Sequence, residues 1–145
     1  MTTATSSMTG TYPRRTLRSV IAVFVGFMSV AVLSLATDQL LHVLTIYPPW
    51  SEPMWDPRLN LLALSYRILY TILGGYITAA LAPHSPMRHV VIGGVIGCVV
   101  GTAGAIAAIT MADLGPDWYP IALAATGFPC VWLGGVIHGK RRAQR

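Results

Sequence analysis

Four long apolar runs, cut by short connections, constrain this chain more than any other feature. They fall at about residues 20–46, 59–81, 90–112 and 119–139. Each reaches the roughly 20 residues that a helix needs to cross the hydrocarbon core of a bilayer. Charged side chains make up only 10% of the 145 residues, against roughly 25% in an ordinary soluble domain. So few charges cannot cover a water-facing surface, so lipid must be the solvent for most of the chain. In lipid every backbone polar group needs an internal partner, which leaves helices or a closed barrel. Runs of this length predict an all-α integral membrane protein, an antiparallel bundle of four transmembrane helices.

The connections carry the punctuation this reading needs. Residues 47–58 contain four prolines, Pro48, Pro49, Pro53 and Pro57, which forbid a continuous helix or a central strand. Trp50 and Trp55 in that loop, and Trp118 with Tyr119 in a later one, are amphipathic rings suited to a headgroup boundary. Ala82-Pro83-His84-Ser85-Pro86-Met87-Arg88-His89 reads as a short turn. Pro120 suits a first helical turn, where its missing N–H costs nothing. Pro129 inside the fourth run predicts a kink. Residues 1–16 read as a disordered basic tail, residues 17–140 as the membrane domain and residues 141–145 as a basic cytoplasmic tail.

Basic residues sort to one side. Arg14, Arg15 and Arg18 precede the first run, Arg88 lies between the second and third, and Lys140, Arg141, Arg142 and Arg145 follow the fourth. Glu52, Asp56, Asp113 and Asp117 fall in the other two connections, which hold Arg58 as their only basic residue. The positive-inside rule then places both termini in the cytoplasm. This sorting also explains the net charge of +5 without nucleic acid as a partner; the bilayer itself is the partner. A rival reading remains at the N-terminus, where a basic stretch, an apolar run and Ser34-Leu35-Ala36 resemble a cleavable secretory signal. The apolar pattern continues past Ala36 through Leu40, Leu41, Val43 and Leu44, which favours a retained span.

Two residues of full charge stand inside the apolar runs, Asp38 and Arg67. Asp38 lies eight positions before the end of its run and Arg67 eight positions after the start of the next. At 1.5 Å per residue, each sits about 12 Å below the same membrane edge. Either alone would cost about 2.5–3.5 kcal/mol on insertion scales, and pairing offsets much of that. An Asp38–Arg67 pair facing the bundle interior is therefore expected. Ser34, Asp38 and His42 share a helix face by their i, i+4 spacing. Arg67, Thr71, Gly74 and Thr78 share another, with Tyr70 beside it.

Two readings of this candidate site, Asp38, His42, Arg67, Ser34 and Tyr70, stay open. The pair either fixes the register of the first hairpin, or it lines a polar cavity of a small transporter or channel for a proton, an ion or a small anionic solute. The first leads, and it makes the protein a non-enzymatic one that acts through packing or through association with a partner. No paired catalytic carboxylates, no Ser/His/Asp set and no metal-binding pattern stand out, so no enzyme activity, metal or cofactor is expected. Cys98 and Cys130 lie within apolar runs and read as inert. Gly93, Gly97 and Gly101 form overlapping GxxxG steps, and Gly74 and Gly75 a second small-residue strip. Such spacing serves close helix packing, within the chain or in a homodimer. Leu73-Gly74-Gly75-Tyr76-Ile77-Thr78-Ala79 also echoes Leu133-Gly134-Gly135-Val136-Ile137-His138-Gly139.

Several stretches carry a wider likeness: Thr37-Asp38 with His42, Tyr47-Pro48-Pro49-Trp50, Tyr66-Arg67, Gly74-Gly75-Tyr76, Ala82-Pro83, Pro86-Met87-Arg88-His89 and Trp118-Tyr119-Pro120. In these the chain resembles a family of small four-helix proteins of the bacterial inner membrane, over about residues 17–142. The resemblance implies that membrane as the location and brings no activity with it. The small multidrug exporters are also four-helix proteins, but their essential carboxylate is a Glu early in the first span. Here the acid is an Asp late in the span, matched to an Arg, which departs from that pattern.

Overall fold

The computed structural model describes residues 12–112 and 115–144. Every regular element among them is helical. α1 spans Tyr12–Val43, α2 Pro57–Leu81, α3 Pro86–Ala107 and α4 Trp118–Ala143, and α3 runs on into a π-helical turn over Ala108–Ala112. Four helices are long and apolar enough to cross a membrane. The class is thus that of a multi-pass helical membrane protein.

Local chemistry sets the boundaries. α2 starts where the Asp56 carboxylate accepts from the Arg58 N–H at 2.8 Å, an N-cap, with Pro57 in the first turn. It stops at Leu81 because Ala82, which precedes Pro83, is extended at φ −61° and ψ 127°, as the proline ring demands. α1 ends at Val43, three residues before the end of the apolar run. Thr45 adopts φ 56°, its N–H donates to His42 O at 3.0 Å, and that of Ile46 donates to Leu41 O at 3.0 Å. This is a Schellman turn with a β-branched residue where glycine is usual. The turn sends Tyr47 back against the bundle, a reversal that hydropathy could not show.

The tail boundaries also move. Residues 12–16, expected in the disordered tail, belong to α1, and Arg141 to Ala143, expected in the C-terminal tail, belong to α4. The Ser/Thr-rich start, Asp113 and Arg145 lie outside the described residues. Pro129 lies inside a continuous α4.

Burial runs opposite to that of a water-soluble domain. Leu17, Phe24, Val32, Leu35, Leu69, Val99 and Ile106 are exposed, whereas Ser34, Asp38, Asn60, Thr78 and His89 are buried. In lipid, apolar burial gives helices little reason to associate, so small residues and hydrogen bonds must hold them together. The close approaches fall at Gly26, Gly74, Gly75 and Gly134. A side chain at Gly26 would strike Thr78 and, at 2.7 Å, Gly74 O; one at Gly75 would strike the Val131 backbone, and one at Gly134 the Ile72 carbonyl. The Leu-Gly-Gly echo is therefore the α2–α4 crossing itself, each copy packed on the other. A Cβ added at Gly93 would sit 3.3 Å from Val23 of α1, and one at Gly94 2.9 Å from Phe128 of α4. A Cβ at Gly97 or Gly101 would meet nothing within 4 Å, so these two members of the GxxxG stripe make no close packing within the chain. α2 has its broadest contacts with α4 and α1, α3 packs mainly on α4, and α1 and α3 touch little.

Candidate polar site between α1, α2 and α3

Asp38 organises the other half of the bundle. It is 6% exposed, too buried to remain charged without partners. Tyr66 donates its hydroxyl proton to Oδ1, and Arg67 donates from Nη2 to Oδ2 at 2.6 Å. The two donors are consecutive on α2. Their side chains diverge by about 100° around the helix, so together they grip the carboxylate from two sides. Both oxygens are engaged, and the pair is charge-assisted.

The hydrogen bonds continue outward from that carboxylate. The Tyr66 and Tyr47 hydroxyls lie 3.3 Å apart. Tyr66 has given its only proton to Asp38, so Tyr47 must donate in this contact, with Leu59 O a second acceptor at 3.4 Å. Burial pushes the Tyr47 phenol above its ordinary 10.0, against the lowering effect of its bond to Tyr66. It thus stays protonated and able to donate at any ordinary pH. Tyr47, Ala63 and Tyr66 form the buried apolar cluster of this half, with Leu41, Met54, Tyr70 and Tyr119 against it. Asn60, 2% exposed, donates to Met54 O at 2.8 Å and Asp56 O at 3.0 Å, which ties the proline-rich loop to the start of α2.

The structure brings together some of the residues marked by the sequence and separates others. Asp38 and Arg67 form the expected ion pair. His42 does not bond Asp38; its ring lies edge-on to Trp50 at 3.8 Å and to Tyr47 at 5.4 Å between centroids. Its Nδ1 is buried without a partner. Tyr70 reaches Thr37, at 2.9 Å between hydroxyl oxygens, and not the carboxylate. Ser34 is buried one helical turn from Asp38. Sequence reasoning missed Tyr47, Tyr66, Tyr119 and Asn60. The available signal was chemical: a phenol or an amide inside an apolar helix needs a polar partner, and Tyr66 adjoins Arg67, a cation inside an apolar run.

A cavity of about 430 Å³ opens onto this network. Asp38, His42 and Arg67 all line it, with Gly101, Gly104, Ala105 and Ala108 as a smooth wall from α3 and Tyr119 from α4. Gly101 and Gly104, which have no packing partner, are thus cavity wall. Glu52 and Asp117 stand among its lining residues from the two loops. A shallower hollow of about 770 Å³ lies between the end of α1 and the proline-rich loop, lined by Gln39, Trp50 and Trp55, and reaches neither Asp38 nor Arg67. Among the described residues no group of three or more His, Cys, Asp or Glu side chains is placed to hold a metal ion.

No protein-family model, no curated protein and no solved structure matches the chain. The cleft's own chemistry must carry the functional reading.

Proposed function

We propose that this is a non-enzymatic, multi-pass protein of a bacterial inner membrane, and that the cleft over the Asp38–Arg67 pair is a binding site for a small ligand. The observation that carries this is the cavity that meets Asp38, His42 and Arg67 at once. Fixing helix register does not require an open pair, yet the Arg67 side chain is 28% exposed and lines the cavity. Intramembrane ionisable groups that face a cavity mark ligand or ion sites.

The antiparallel arrangement with both termini cytoplasmic belongs to this reading. It is supported by the sorting of basic residues and by contacts that run in opposite order along α1 and α2: Gly26 with Gly74, Thr37 with Tyr70, Asp38 with Tyr66 and Arg67. The cleft then opens toward the periplasmic side. Tight backbone approaches at Gly26, Gly75 and Gly134 favour a one-sided site over a continuous channel.

The test is the charge swap Asp38→Arg with Arg67→Asp. Native mass spectrometry of protein released from membranes in mild detergent should show a bound small molecule on the unaltered chain. The swap should restore the melting temperature lost in the single variants without restoring that adduct. An unaltered chain without an adduct, together with a swap that recovers everything measurable, would leave the pair purely structural.

A further inference from the structure

The binding reading leaves the ligand's class open, and the shape and charge of the cleft narrow it. Resting on that reading, we infer that the cleft takes the headgroup of a zwitterionic phospholipid, with the phosphate at Arg67, the ammonium at Glu52 and Asp117, and the chains leaving between α1 and α3.

Shape gives the route. α1 and α3 approach at Val23 and Gly93, where a Cβ on the glycine would sit 3.3 Å from Val23 Cγ1. Beyond that point they part. Gly97, Gly101 and Gly104 face open space, and Asp38 and His42 lie across the cavity from Gly101 and Gly104. Both helices carry exposed apolar side chains, Leu35 on α1 and Val100 on α3, and Ile109 in the following turn is exposed and lines the cavity itself. In a bilayer these meet acyl chains. A wall of Gly and Ala lets a hydrocarbon chain lie against the helix backbone, as small residues let helices approach. On this route a ligand that arrives from the lipid enters the polar interior from the side.

Charge gives the headgroup. Arg67 commits Nη2 to Asp38, but its side chain remains 28% exposed and lines the cavity, so the open part of the guanidinium can still meet a phosphate oxygen, for which it is well suited. Glu52 and Asp117, both exposed, have no ion-pair partner among the described residues. A wholly anionic lipid would bring its charge beside two uncompensated carboxylates, and a simple cation would meet Arg67. A phosphodiester joined to an ammonium answers both. His42 and Trp50, edge to face at 3.8 Å, lie beside the same entrance.

The experiment uses the full chain, purified in mild detergent, stripped of lipid and titrated separately with three probes. These are phosphatidylethanolamine, phosphatidylglycerol and the water-soluble headgroup glycerophosphoethanolamine. Retention is read by native mass spectrometry. Phosphatidylethanolamine should bind about tenfold more tightly than phosphatidylglycerol, because like-charge contacts discriminate against wrong partners. Glu52→Gln with Asp117→Asn should level the two lipids. Gly104→Leu, at a position with space for a side chain, should remove lipid binding while the melting temperature holds. Equal binding of the two lipids by the unaltered chain overturns the zwitterion assignment. Binding of the free headgroup as tight as that of the lipid overturns entry from the bilayer and leaves a solute site in the cleft. No binding of any probe, with Gly104→Leu indistinguishable from the unaltered chain, overturns both the lipid and the cleft.

Discussion

The two halves of this bundle solve the same problem by opposite means. Both must hold helices together in a solvent as apolar as their own side chains. In the glycine half, Gly26, Gly74, Gly75 and Gly134 bring backbone against backbone and gain dispersion contacts over a tight surface. In the polar half the helices stand apart around a cavity. There a carboxylate gripped by a phenol and a guanidinium does the joining. Close packing leaves no room for a ligand. Polar bridging over a gap holds the helices and leaves groups facing the opening, so the candidate site belongs in the second half and could not sit in the first.

The contrast between the halves breaks most sharply on matched glycine substitutions. Gly75→Leu and Gly134→Leu drive a side chain into the Val131 and Ile72 backbones, which cannot yield as a flexible side chain would. Each should cost about 3 kcal/mol or more, seen as lost folded protein on thermal unfolding in detergent. Gly101→Leu, in open space, should stay within about 0.5 kcal/mol of the parent. Equal damage from both sets would mean that the α3 stripe packs against something after all.

Next in size is the ion pair. Removing one partner of a fully buried pair costs roughly 3–5 kcal/mol. The exposure of Arg67 discounts this, so Asp38→Asn and Arg67→Gln should each cost about 2–3 kcal/mol. The order should be Asp38→Asn first, since it takes the charge from two hydrogen bonds, those of Tyr66 and Arg67, whereas Arg67→Gln weakens only one. The reverse order in denaturant or thermal midpoints would show that Arg67, and not Asp38, is the hub of the polar half.

A smaller effect tests the turn that sets Tyr47 in place. Left-handed backbone at Thr45, φ 56°, costs roughly 1–2 kcal/mol, and glycine there would lose about 0.5–1 kcal/mol to chain entropy. Thr45→Gly should therefore stabilise by up to about 1 kcal/mol, read as a raised melting temperature. A fall would show that the Thr45 side chain contributes more than its strained backbone costs.

The smallest effect is one of pH. The Tyr47 phenol has a raised pKa in the fold because it is buried. Unfolded, it ionises near 10.0; folded, it holds its proton further. Its contribution to stability is complete below that pH and falls as the pH rises beyond it. Melting temperatures followed from pH 9 upward should drop more steeply for the parent than for Tyr47→Phe, which has no proton to lose.

Much of the candidate site was legible because burying a charge in lipid is so unfavourable that depth alone pairs Asp38 with Arg67. The i, i+4 spacing put His42 on the face of Asp38, and both line the cavity, but a shared face does not say which side chains bond, and neither His42 nor Tyr70 reaches the carboxylate. The ring of His42 was claimed by Trp50, which the Schellman turn at Thr45 carries back over the end of α1. Tyr66 was overlooked because a tyrosine in a span reads equally well as an interfacial ring or as a core donor. The Gly93–Gly97–Gly101 stripe read as packing surface, since a glycine against a helix and a glycine against a cavity look the same in one dimension.

By itself the sequence determined the helical class, the number of spans and the pairing of the two buried charges. Each follows from the cost of leaving peptide groups or ions unsatisfied in hydrocarbon, a cost local to the residues concerned. Only the tertiary structure decided which glycines touch and that a cavity lies over the charged pair. Those depend on how far apart two helix axes stand, which is set by every contact along their length and written at no single position.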